Sequence, residues 1–369
     1  MHRFSNLSRA LFVLLALAGA MCSLVASAAS CKTQSQMAQA ERDALSNATR
    51  GMIGAVQSGD AQALRAKTLP AVAEDFSGIA ESVTTLAPLV KPATITIDSI
   101  YALDASTESA GIARTDFYCG TPVVVLNFTN LPPGNYALAI VHATGVPQPQ
   151  QISLILAESP DHRWMLGGFF SRPMTEAGHD VLWYWVSARK FAQRNMNWDS
   201  WFYYRLAAYF LDPVDFLSSP NLEKLQKEQE RVKPTNLPAM QQPLMIGGQG
   251  SAFQVTTIDT TTTFGPLDLE VGYIPDAAQI AQLHDPPDAR KQVTQVMAEL
   301  LSLHPELREA FHGIWVHADQ GNVSLFALEL PMDQIVPQGQ STVIRQNPTV
   351  TNPNPTVIFP NPNLQSTVR

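Results

Sequence analysis

Polarity along the chain changes period several times. Residues 10–26 are almost continuously apolar. Across residues 33–59, Met37, Leu45, Met52 and Val56 recur at a loose 3.6-residue spacing among Gln, Glu, Arg and Ala, which predicts an amphipathic helix. Ser58-Gly59-Asp60 ends it and caps a second helical stretch, marked by Leu64, Leu69 and Val72 and interrupted by Pro70. A third helix is predicted over about 75–89, with Ile79, Val83 and Leu86 as its apolar face. The period then drops to two. Ile95 and Ile97 alternate with Thr94, Thr96 and Asp98, and further strands are read at 114–119, 122–128, 136–144, 151–157 and 164–170. Turns fall at 131–135, which holds Pro132, Pro133 and Gly134, and at Ser159-Pro160-Asp161. Helices followed by a meander of four or five antiparallel strands predict an α+β unit, its helices on one sheet face.

Residues 178–213 differ in kind, with Trp183, Trp185, Trp198, Trp201 and several Tyr and Phe in two helical stretches. A charged helix follows over 220–232, where Glu223 and Lys227 stand at i, i+4, as on a solvated face. The last unit reads as ββααββ: Phe253, Val255 and Ile258 in a Thr-rich strand, a cleanly alternating strand at 267–273, a helix over 288–303, a short one to 311, and a hairpin across 319–322. Beyond it, Asn347-Pro348-Thr349-Val350 recurs as Asn354-Pro355-Thr356-Val357 in a segment too poor in apolar residues to offset ordering entropy, read as a disordered tail. The expected division is 1–28, a signal peptide; 29–172, an α+β domain; 173–233, a helical hairpin and its extension; 234–244, a linker; 245–335, a C-terminal α+β domain; and 336–369, the tail.

The N-terminus sets the compartment. Arg3 and Arg9, the apolar run and Ala26-Ser27-Ala28 follow the order of a secretory signal with a small-residue cleavage site. The run is short for a bilayer-spanning helix, and no later segment is long and apolar enough, so no span is expected in the mature chain. Lipidation at Cys31, after Ala28-Ala29-Ser30, is the alternative; export to the periplasm or the exterior is expected either way. Loss of Arg3 and Arg9 with no acid takes the formal net charge from −8 to −10. Such a balance disfavours nucleic acid and anionic lipid. Cys22 leaves with the signal, and an even pair, Cys31 and Cys119, remains in an oxidising compartment, where a disulfide is expected.

The run from Ala55 through Ser58, Gly59 and Asp60 to Leu64, inside a helical block with long strands after it, resembles the nuclear-transport-factor-2-like family over about 33–170. That resemblance implies a cone of bent sheet around helices, in a family of isomerases, dehydratases and non-enzymatic binding domains. The stretch from Ala188 through Asn195, Trp198 and Trp201 to Ala208, Asp212 and Pro213 resembles one tetratricopeptide-type hairpin, with Trp201 where a small residue is usual. A lone repeat cannot bury its own face, so the hairpin is expected to pack on a neighbouring domain.

Candidate chemistry is sparse. Arg114, Asp116 and Tyr118 share one strand face, and Tyr136 and His142 share another. In a cone, Asp116, Tyr118 and His142 are the candidates to line a polar cavity, with an Asp–His pair for acid–base work; the alternative is a polar outer face. His304, His312, His317 and Asp319 cluster in sequence, and His317 and Asp319 share a strand face as a metal edge would, but no His-Glu-x-x-His pattern or Cys partner accompanies them. Gly247-Gly248-Gln249-Gly250 lacks the Lys-Ser/Thr of a phosphate loop, and Gly-x-Ser-x-Gly is absent. No cofactor and no metal is therefore expected. A non-enzymatic binding or scaffolding protein of the cell envelope, with a protein partner, is the first reading. A small-molecule-binding or isomerase-type cone is the second.

Overall fold

The computed structural model describes residues 29–248 and 252–336. The expected signal segment, Gln249 and Gly250 of the glycine-rich run, and nearly all of the expected tail lie outside them.

The predicted first helix is shorter than its pattern. Residues Ser30–Thr33 form an edge strand, β1, and a turn closed on the Thr33 carbonyl by the Gln36 and Met37 N–H groups precedes the helix. Helix α1 spans Gln39–Ser58 and ends at Gly59, whose φ of 71° is left-handed. The Gly59 and Asp60 N–H groups satisfy the last carbonyls of α1, and the Asp60 side chain accepts from Ala63 N to start α2, Ala61–Arg65. Pro70 opens a separate turn of helix, α3, Pro70–Ala73, because it has no N–H for a preceding helix to use. Helix α4 spans Ser77–Val90.

These helices cover one face of an antiparallel sheet. Its strands are β2, Thr94–Asp104; β5, Asn135–Thr144; β6, Gln150–Glu158; and β7, Trp164–Pro173, in the order β1-β2-β5-β6-β7. Ala137, Ala139, Val141 and Ala143 of β5 point at the helices, where small side chains let Leu45, Met52, Ile53, Val83 and Leu86 pack close. Alternation sends Leu138 and Ile140 to the opposite face.

The meander is interrupted. Strands β3, Arg114–Cys119, and β4, Val124–Thr129, leave the main sheet and form a second one of order β10-β4-β3 with β10, Leu217–Ser218. This small sheet packs Phe117, Cys119 and Leu126 on Leu103, Leu138 and Ile140, so both faces of the main sheet are covered. Period-two alternation announces a strand but not its partner, so the excursion was hidden in the sequence. The sulfurs of Cys31 and Cys119 lie at bonding distance, with Cα atoms 5.1 Å apart, and tie β1 to the end of β3. A lipid thioether at Cys31 and this bond exclude one another.

After two short paired segments, β8 (Thr175–Glu176) and β9 (His179–Asp180), come α5, Val181–Gln193; α6, Asn197–Leu211; and α7, Pro220–Val232. The Asp180 side chain caps α5 by accepting from Trp183 N. The C-terminal sheet has the order β11-β12-β13-β14-β15: β11, Leu244–Ile246; β12, Phe253–Thr261; β13, Asp268–Ile274; β14, Gly313–Gln320; and β15, Val323–Pro331. Helices α8, Ala277–Leu283, and α9, Pro286–Leu303, cross over between β13 and β14, which therefore run parallel. The short α10, Leu307–Ala310, completes the crossover. Edge strand β11 and helix α8 are additional to the expected ββααββ order. Tyr184, Phe202, Tyr203 and Phe210 of the hairpin share one core with Phe253, Tyr273, Val293 and Phe311, so the aromatic density is mostly internal packing. The fold is α+β throughout.

Candidate functional site

The structure does not bring Asp116, Tyr118 and His142 together. The inward face of β3 carries Thr115, Phe117 and Cys119, which leaves Asp116 paired with Arg114 at 2.8 Å and Tyr118 63% exposed on the outside. His142 stands on the main sheet, on the face of β5 away from the helices. Its Nε2 is 3.1 Å from Gln151 Oε1 and its Nδ1 3.9 Å from Asp98 Oδ1. The space between helices and sheet is filled by apolar side chains. The space between helices and sheet is thus packed, with Asp116 and Tyr118 on the outward side of the small sheet and His142 on the main-sheet face that carries Leu138 and Ile140.

The polar groups that do converge lie on the C-terminal sheet. Leu269, Val271 and Tyr273 of β13, and Ile314, Val316 and Ala318 of β14, face the core. The alternate positions, Asp268, Glu270, Gly272, Gly313, Trp315, His317 and Asp319, therefore share the other face. His317 lies over Gly272, its parallel-register partner, where a Cβ would come within 2.7 Å of the ring. His317 Nδ1 is 2.6 Å from Asp319 Oδ2, and Nε2 is 3.4 Å from Glu270 Oε1. Burial works against the imidazolium, but the Asp319 and Glu270 carboxylates more than offset it and hold its pKa up at about 9. At neutral pH His317 is a cation between two anions. It acts as an internal ion pair, and the metal edge read from His317 and Asp319 is used up in that role. His304 also has another task, against the Trp198 ring at a centroid distance of 4.4 Å.

Next to this cluster, His312 meets Asp268 and Glu329, which the sequence reading did not group with it. His312 Nδ1 is 3.1 Å from Asp268 Oδ1 across 44 residues of chain. Burial raises the Asp268 carboxyl, and burial together with the Asp268 charge raises Glu329. The available signal was the alternation of β13, which puts Asp268 and Glu270 on one face, but only the parallel pairing with β14 supplies the histidines.

A cleft of about 280 Å³ lies where β7, α6, α7 and β12 meet. Arg172 there pairs with Asp215 and, at 3.4 Å, with Asp212, while Arg205 holds Asp259 at 2.9 Å. Burial pushes Asp212 up to about 6, against the pull of Arg172. Both guanidinium groups are engaged in joining the first sheet and the last one to the hairpin.

Among the described residues, no helix is long and apolar enough to cross a membrane. Comparison of the chain with family models, curated proteins and solved structures finds no match in any of the three.

Proposed function

We propose that the protein is exported and serves the cell envelope as a non-enzymatic binding or scaffolding protein, with the outer face of α5 as its docking surface for another protein. The observation that carries this reading is a contiguous row of exposed apolar side chains along one face of a helix. Leu182 is 64% exposed, and Trp183 and Val186 are each 39% exposed, while the other face of the helix buries Tyr184, Ala188 and Phe191. Leu182 and Val186 stand at i, i+4, and Lys190 extends the same row. Lys190 is exposed and has no ion-pair partner among the described residues, on a chain of formal net charge −8. The His179 ring stacks on Trp183 at 3.6 Å and fixes its orientation. A pre-set aromatic and two aliphatic anchors beside a free cation suit a partner that offers apolar side chains flanked by a carboxylate. The packed interior of the first unit gives the small-molecule alternative less support.

A photo-crosslinking residue at position 182 in the native host tests this. A discrete adduct is expected that is lost in Val186→Asp, weakened in Lys190→Glu, and absent when the crosslinker is moved to Tyr118. An adduct that ignores both substitutions, or none at all, removes α5 as the docking face.

A further inference from the structure

Asp268, at the start of β13, has a side chain 0% exposed. Its Oδ2 finds no hydrogen-bond partner among the described residues, and neither does the buried Oε1 of Glu329 on β15. Both carboxylates crowd over Gly313. A Cβ there would lie 2.6 Å from Glu329 Oε1 and 3.0 Å from Asp268 Oδ1. Only a glycine leaves the space into which they converge. His312, one residue before β14, closes the third side with its ring half open to solvent. One ligand atom from each of the three residues lies within 4.8 Å of the other two.

Two carboxylates beside one imidazole carry excess negative charge, and among the described residues no Arg or Lys pairs with either. An uncompensated charge is costly away from water, so a proton or a cation must relieve it. The unused Glu329 Oε1 and the Asp268 Oδ1 that meets His312 both front one glycine-floored space, and a cation there can engage both at once. We propose that Asp268, His312 and Glu329 hold one divalent transition-metal cation of the Zn2+ class, with its remaining positions open to water on the His312 side. Two oxygens and one imidazole nitrogen without a thiolate suit such borderline cations. Ca2+ and Mg2+ prefer shells of oxygen alone, with more ligands than this site offers. The cation takes the place of the proton shared across the 3.1 Å Asp268–His312 contact. The site is separate from α5, and the two stand or fall independently.

Calorimetric titration of Zn2+ into the chelator-stripped mature chain tests the proposal, with Ca2+ and Mg2+ in parallel. One saturable Zn2+ site per chain is expected, at least about tenfold tighter than either alkaline-earth cation and weakened at least about tenfold by His312→Ala or Glu329→Gln. Zn2+ should raise the Tm of the native chain and leave that of His312→Ala unmoved. His312 is half exposed, so its replacement keeps the fold, as circular dichroism will show. The exposed His284, replaced by Ala, should bind as the native chain does. Absence of a saturable site, a preference for Ca2+ or Mg2+, or native-like Zn2+ affinity in His312→Ala overturns the proposal.

Discussion

Replacing Cys31 and Cys119 together by Ala is expected to cost about 4–5 kcal/mol of stability. The bond closes a loop across 88 residues, and a loop of that length has much entropy to recover when the bond is absent. Its location adds to the effect. β1 is a four-residue edge strand held by β2 alone, and Cys119 is fully buried where the small sheet meets the main one. Without the bond, β1 is free to fray and the β3–β4 hairpin keeps its apolar contacts and the short pairing with β10. Urea unfolding of the native chain and the double variant, both with reductant and without, measures the difference. Reductant should bring the native chain down to the variant and leave the variant unchanged. Equal stability of the two oxidised proteins would show that the bond contributes nothing.

Asp199 is expected to make stability fall as pH rises from about 4 to about 7, and Asp199→Asn should remove that part of the fall. Asp199 sits in the first turn of α6, buried, with neither carboxylate oxygen hydrogen-bonded among the described residues. Burial pushes its pKa from 3.8 up to about 7, with help from the Glu306 and Glu309 charges and against the pull of Arg194. Below pH 4 both folded and unfolded chains carry the proton. Between 4 and 7 the folded state keeps a proton that the unfolded chain has lost, so each increment of pH favours unfolding. Above 7 the penalty is complete, at about 4 kcal/mol. Asn removes the ionisation at nearly constant shape, so the variant should gain stability of that order at pH 8 and little at pH 4. Chemical unfolding at pH 4, 6 and 8 reads this directly. Parallel loss of stability in both proteins would mean that Asp199 ionises freely in the fold.

Local signals were legible in the sequence where local physics decides the outcome. Ser58-Gly59-Asp60 ends one helix and caps the next because a left-handed residue and a short acceptor side chain do those jobs wherever they stand. The alternating strands, the helix over 286–303 and the β14–β15 hairpin follow from period and turn chemistry. What pairs with what was not legible. The departure of β3 and β4 from the meander depends on β10, some ninety residues downstream of β4, and the same local alternation serves either sheet. Asp116, Tyr118 and His142 were grouped on the assumption of one wall around a cavity, and the excursion separates them. His312 found Asp268 only through the parallel register of β13 and β14, which no local pattern encodes, while Glu329 comes from the β14–β15 pairing. Asp199 carries no local signal in the sequence, because burial without a partner is a property of the packed core.

Export underlies the proposed reading of the molecule: it would provide an oxidising compartment for Cys31 and Cys119 and put the α5 face among envelope proteins. Intact mass spectrometry of the unreduced protein, isolated from the envelope fraction of its native host, tests it most directly. The account predicts a chain that begins at Ala29, carries no lipid, and is lighter by two hydrogens than its fully reduced form. A chain that retains residues 1–28, or has two free thiols, or carries a diacyl group on Cys31, would contradict it.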